Sequence, residues 1–154
     1  VDTDDKPTIK GMTAMNYFIS LNAQSGELEK ILSGTKSMLV KEFDPAQSAE
    51  QPVIPGDSLY FLRDNDECAL RVKANIVRIL LVTKSVEEDL SHILKEMQPR
   101  LQLTEDQYNY WSAKEQAVLV EFDCAHKIDV IHVASNKITD RSDWIAFDEF
   151  GEIT

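Results

Sequence analysis

The spacing of apolar and polar positions changes along the chain, and each change marks an element. Asn16-Tyr17-Phe18-Ile19-Ser20-Leu21 is a short aromatic and β-branched run that predicts a buried strand. Ser25 as N-cap, Leu28, Ile31 and Leu32 on one face, and Gly34 as a stop predict a helix. Residues 36–43, with Met38-Leu39-Val40 at their centre, predict a second strand. Residues 44–57 hold Pro45, Pro52 and Pro55 and read as a polar loop, closed by the turn Pro55-Gly56-Asp57. A strand over 58–63 and a hairpin tip at Asp64-Asn65-Asp66 lead to the clearest alternation in the chain. There Leu70, Val72, Ala74 and Ile76 share one face, against Arg71, Lys73 and Asn75 on the other.

The period then turns helical. Ser85-Val86-Glu87-Glu88 has the form of a capping box, and Val86, Leu90, Ile93, Leu94 and Met97 recur at helical spacing up to Pro99, where the helix is expected to end. Thr104-Glu105-Asp106-Gln107 is a second capping box and opens a helix carrying Tyr108, Tyr110 and Trp111. Strands are expected over 117–122, 129–133 and 144–147. The order β, α, β, β, β, α, α, β, β, β predicts an α+β fold: a small, mostly antiparallel β-barrel with helices packed at one side. Residues 1–14 are charged, contain Pro7 and Gly11 and lack periodicity, so they read as a disordered or tag-like tail before one domain over 15–154.

Length and charge narrow the function. The chain of 154 residues is enough for one ordinary domain. Its longest apolar runs, such as Ile79-Leu80-Leu81-Val82, fall far short of the ~20 residues a spanning helix needs. No apolar leader-like stretch lies between Val1 and Gly11, which makes the cytoplasm the expected location. The net charge of −11 opposes broad contact with DNA or RNA. It is uneven: −3 over 1–50, −1 over 51–100 and −7 over 101–154, so any anion site is expected in the first two thirds. Cys68 and Cys124, each in a strand-like stretch, read as reduced, buried thiols.

Gly34-Thr35-Lys36-Ser37-Met38-Leu39-Val40-Lys41, then Pro55-Gly56-Asp57-Ser58-Leu59-Tyr60-Phe61, and the later strand Val118-Leu119-Val120-Glu121-Phe122 resemble the ASCH family of the PUA-like superfamily over roughly residues 15–126. The resemblance implies a PUA-like barrel with a cleft that binds RNA, a nucleotide or a modified base. Gly34 and Lys36 match the family's G-x-K-x-x-E-x-R segment, whereas its acid falls on Leu39 and its arginine on Lys41. Some small members are amidohydrolases acting on acylated cytidines through a lysine, a threonine and a glutamate. Lys36 takes the place of that lysine, Leu39 stands at the threonine position, Ser37 is the nearest hydroxyl, and Glu96 or Glu88 is available as the glutamate.

Each candidate has two readings. Lys36 is either an anion or base contact at a cleft rim or a solvated lysine. Arg71 and Lys73, with Arg63 on the neighbouring strand, either meet a phosphate backbone or cover an exposed face. Tyr108, Tyr110 and Trp111 either stack a base or anchor their helix. His92, His126 and His132 lack the spacing of a metal set, and the chain has neither a G-x-S-x-G motif nor a Gly-rich phosphate loop. No metal or cofactor is therefore expected. The expected function is binding of RNA, a nucleotide or a nucleoside through Gly34, Lys36, Ser37, Lys41, Arg71 and Lys73, weakly and locally. The alternatives are an amidohydrolase that uses Lys36 and Ser37, and a protein-interaction domain that uses the acidic C-terminal face of Asp140, Asp143, Asp148, Glu149 and Glu152.

Overall fold

A computed structural model describes residues 15–21, 26–43, 53–63, 68–134, 144–147, 151 and 153–154. The elements are β1 (Asn16–Leu21), α1 (Glu27–Leu32), β2 (Met38–Lys41), β3 (Ser58–Arg63), β4 (Ala69–Thr83), α2 (Ser91–Leu101), α3 (Glu105–Ser112), β5 (Gln116–His132) and β6 (Ile145–Phe147). The fold is α+β, with six strands in the order β2-β5-β4-β3-β1-β6. β1 runs parallel to β3, and the other four pairings are antiparallel.

The expected barrel is an open sheet. A barrel needs hydrogen bonds between its first and last strands, but the edge strands β2 and β6 have four and three residues and do not pair among the described residues. Side chains draw the edges together instead: Lys41 Nζ, at the end of β2, lies 5.9 Å from the centroid of the Trp144 ring that precedes β6. Under this curl lies the largest apolar cluster, where Leu28 and Ile31 of α1 meet Tyr17, Phe61, Val72 and Phe122 of the sheet. Val72, Ala74 and Ile76 alternate into that cluster as the sequence predicts, whereas Leu70, expected on the same face, packs in another cluster with Phe18, Tyr60 and Phe147, across a ladder irregularity between Leu70 and Val72. A separate cluster seats Leu90, Leu94 and Leu101 on Met38 and Leu119.

Local chemistry explains where boundaries differ from expectation. Ser85 and Glu88 close a turn rather than start a helix: Ser85 N donates to Glu88 O at 2.8 Å and Glu88 N to Ser85 Oγ at 3.0 Å. Val86 is consequently fully exposed. α2 begins six residues after Ser85, at Ser91, whose N–H donates to Asp89 Oδ1 at 2.9 Å. Pro99 lies inside α2 and does not stop it, although a proline there removes an N–H bond. The helix runs on to Leu101 and closes at Gln102 in the left-handed region, φ 52°. The Thr104–Gln107 capping box forms as the sequence predicts.

The strands expected over 117–122 and 129–133 are parts of one 17-residue strand, β5. Both thiols are free, but they are not buried: Cys68 is half-buried and Cys124 exposed. Each holds a left-handed backbone, φ 56° and 57°, at an irregularity rather than a position inside a regular ladder. Among the described residues no helix is long and apolar enough to cross a membrane.

Candidate functional site

Gly34 carries the chain out of α1 with φ 85°, a conformation that glycine reaches without strain. The segment that follows is fastened on three sides. Lys36 N donates to Lys30 O of α1, Ser37 N to Arg100 O of α2, and Phe122 N of β5 to Ser37 O, each at 3.0 Å. The chain therefore enters β2 at the junction of two helices and the sheet.

β5 bends away at this junction. Lys73 pairs with His126 and Asn75 with Asp123, so one residue of β4 faces two of β5, Cys124 and Ala125. This β-bulge, with Cys124 in the left-handed region, opens space beside the end of α1. The resulting cavity measures about 360 Å³ and is bounded by Ile31, Leu32, Ser33 and Gly34 on one side, Phe122–Ala125 on the other, and Lys36 and Ser37 between them.

The solvated reading of Lys36 is overturned: the residue is 1% exposed. Its ammonium donates to the carbonyl of Leu101, the last residue of α2, and lies 3.7 Å from Glu27 Oε1. Both partners have a physical reason. A helix C-terminus leaves carbonyls without intrahelical donors and carries partial negative charge, which favours a cation there. Glu27, itself nearly buried, opens α1 and is held at its other oxygen by Gln107 Nε2 at 3.4 Å. Burial lowers the Lys36 pKa from 10.5 to about 8; Glu27 opposes the shift and Lys30 adds to it.

The sequence candidates divide by place. Gly34, Lys36 and Ser37 line the cavity, with Lys41, Arg71 and Lys73 elsewhere. Lys41 reaches Trp144 from the far end of β2. Lys73 lies 5.8 Å from the Tyr60 ring, and the two residues are cross-strand partners. Tyr60 belongs to a different apolar cluster from Val72 and Ala74, so Lys73 projects from the sheet face opposite the cavity. Arg71 alternates with Val72 and shares the Lys73 side; the side chain of Arg63 lies outside the described ones.

Neither expected glutamate approaches Lys36. Glu96 is exposed and pairs with His92 at 3.6 Å, and Glu88 sits in the exposed turn before α2. Glu27 is the carboxylate that sequence reasoning missed; only its position as the first residue of α1 hinted at it. Tyr108 donates to Ser91 O at 3.0 Å and packs with Trp111 in the α2–α3 cluster, so these two anchor their helix. Tyr110 is exposed beneath Lys114, 4.7 Å from its ring centroid. The acidic residues Asp140, Asp143, Asp148, Glu149 and Glu152 lie outside the described residues. A second recess, lined by Lys84–Asp89, Ser91 and His92, is an exposed turn with three carboxylates and none of the sequence candidates.

No family model matches this sequence, and no curated protein matches it. Solved structures do. The crystal structure of the ASCH protein of Zymomonas mobilis is similar to this chain with a TM-score of 0.57 at 16% identity, covering 76% of this chain and 73% of the other. Two single-substitution variants of that protein are similar at TM-scores of 0.58 and 0.59, also at 16% identity, and cover 76% of this chain and 75% and 73% of theirs. With the mixed six-stranded sheet, these likenesses establish that this chain has an ASCH-like fold.

Proposed function

We propose that this PUA-like domain is a binding module whose cavity between α1 and the β5 bulge takes a nucleoside or a modified base. One observation carries the reading: Gly34, Lys36 and Ser37, nominated by sequence, line a single cavity of about 360 Å³. That size lies within the ~300–1,000 Å³ range of small-molecule sites, and its mixed apolar and polar wall suits a flat, polar ring. The charge balance favours the base over its phosphates. Lys36 is already matched by Glu27, and Asp123 on the opposite wall repels anions. An RNA ligand would enter through a single unstacked base, the mode by which proteins read single strands.

The test is titration of a nucleoside panel and a short single-stranded RNA into wild-type protein and Lys36→Ala, at low and physiological salt. Saturable nucleoside binding, weakened about tenfold or more by the substitution, is expected for a lost charge-assisted contact. Binding that Lys36→Ala leaves unchanged overturns the reading.

The proximity of Lys36 to Glu27, with Ser37 on the same wall, favours a second reading as an amidohydrolase of acylated cytidine-type nucleosides. Leu39 stands where the family's hydroxyl would be. Incubation with N4-acetylcytidine decides the matter: acetate release that Lys36→Ala and Glu27→Gln abolish supports hydrolysis, and an unchanged substrate excludes it.

A further inference from the structure

We propose that Arg78 and Arg100, converging on Glu121, form a site for a phosphate monoester on the sheet face that carries α2. The site is separate from the cavity and does not rest on the nucleoside reading.

A bulge in β4 delivers Arg78. Ile76 pairs with Phe122 and Arg78 with the preceding residue of β5, Glu121, so Val77 is an extra residue in the ladder. In a regular strand Arg78 would share the face of Ile76 and enter the largest apolar cluster. The bulge turns it to the other face, where Glu121 lies beside its partner Met38 and two positions from Leu119. There Arg78 Nε donates to Glu121 Oε1 at 2.8 Å. The terminal nitrogens of Arg78 make no hydrogen bond among the described residues.

Arg100 approaches the same carboxylate from the last turn of α2. Its Nη1 lies 3.7 Å from Glu121 Oε2, too far for a hydrogen bond. Nor is its guanidinium needed to close the helix, because the last four carbonyls of α2 have other donors. Gln98 O accepts from Gln102 N, Pro99 O from Gln102 Nε2, Arg100 O from Ser37 N, and Leu101 O from Lys36 Nζ. The two arginine side chains are 45% and 49% exposed. Glu121 holds Arg78 in place beforehand, which lowers the ordering cost of binding.

Two guanidiniums on one carboxylate leave one positive charge fixed on a chain of net charge −11. By contrast, Lys84–Glu115 and Lys114–Glu42 match one cation to one carboxylate. The open edge of Arg78 and the fork of Arg100 offer paired N–H donors in the geometry that suits phosphate oxygens. Negative charge borders the site on two sides. Asp123 follows Glu121 by two positions on the same face of β5, and Glu96 precedes Arg100 by one turn, engaged with His92 at 3.6 Å. These carboxylates oppose a run of phosphates. A single monoester, with a charge of about −1.5 to −2 at pH 7, gains more from the two guanidiniums than one diester does.

The test uses the full chain labelled with ¹⁵N-arginine, its Nε–Hε signals assigned with Arg78→Gln and Arg100→Gln. Inorganic phosphate and uridine 5′-monophosphate are titrated in at a constant ionic strength set with sodium chloride. Saturable shifts of both arginine signals are expected, with one dissociation constant per ligand from either signal. Each glutamine variant should weaken phosphate binding about tenfold or more, the scale of a lost charge-assisted contact. Glu121→Gln should tighten it several-fold, because the amide oxygen still accepts from Arg78 Nε while the opposing charge is gone.

Signals that respond to chloride as they do to phosphate overturn the site. So does a phosphate affinity that neither Arg78→Gln nor Arg100→Gln lowers, which would leave the arginines as a bridge between α2 and the sheet. A single-stranded RNA without terminal phosphates that moves both signals at the same concentration as the monophosphate overturns the monoester assignment. Uridine should leave both signals in place, so the occupancy of the cavity is judged separately; uridine that moves them overturns the role of the phosphate.

Discussion

Lys36 and Tyr17 give the stability of this fold two opposed pH dependences. The Lys36 pKa falls from 10.5 to about 8 on folding. Between those values the unfolded chain holds a proton that the folded chain has lost, so stability rises with pH across that window. Tyr17, buried near Asp57, moves the other way, from 10.0 to about 12. Between those values the folded chain keeps a proton that the unfolded chain has lost, and stability falls. Urea midpoints should therefore rise from about pH 8 towards pH 10.0, where Tyr17 starts to oppose the trend, in wild-type protein and lose that rise in Lys36→Met; a rise that survives the substitution would assign it to another group. Among the described residues, the buried Tyr17 hydroxyl has no hydrogen-bond partner. Tyr17→Phe should then stabilise the protein by about 1 kcal/mol, the scale of an unsatisfied buried group, and a loss of that size in urea denaturation would mean the hydroxyl is satisfied. Burial of a lysine was not legible in the residue itself. Its spacing after Gly34 singled it out, but its environment comes from Glu27, nine positions earlier, and Leu101, 65 positions later.

At the scale of elements, capping chemistry decides more than apolar periodicity. Thr104 Oγ1 accepts from Gln107 N at 3.2 Å, and Gln107 Oε1 accepts from Thr104 N at 2.9 Å, while the same amide holds Glu27. Thr104→Ala should cost about 1 kcal/mol and also loosen the Glu27–Lys36 pair. Urea denaturation measures the first effect and the Lys36 NMR signal the second. The similar motif at Ser85 closes only a turn, and α2 begins later, at Ser91, with Leu90 as an N-cap that makes no side-chain hydrogen bond. The two motifs look alike in sequence, yet one caps a helix and the other closes a turn. The turn Pro55-Gly56-Asp57 was legible, but its wider task was not. The Asp57 carboxylate accepts from Met15 N and Ile54 N at 2.9 and 3.0 Å and so ties the start of β1 to the start of β3.

For the whole molecule the net charge of −11 sets the terms of binding. A nucleoside engaged by one charge-matched lysine should keep its affinity within about twofold as salt rises. A single strand should lose affinity with a slope of only about one to three released counterions. A steep slope in the RNA titration would place the contact on a basic surface instead of in the cavity. Sequence alone determined the α+β class, the order of most strands, the α3 cap and the nomination of Gly34, Lys36 and Ser37, because each depends on residues adjacent in the chain or repeating with a fixed period. Tertiary structure alone decided that the sheet stays open, since two short edge strands meet through Lys41 and Trp144 without a ladder. It also decided that the cavity exists, because the bulge at Cys124 is a left-handed backbone that no residue type there announces. The partners of Lys36 belong to the same class: a buried charge is matched by whatever carboxylate and helix end the packing brings within reach, and chain distance does not govern that choice.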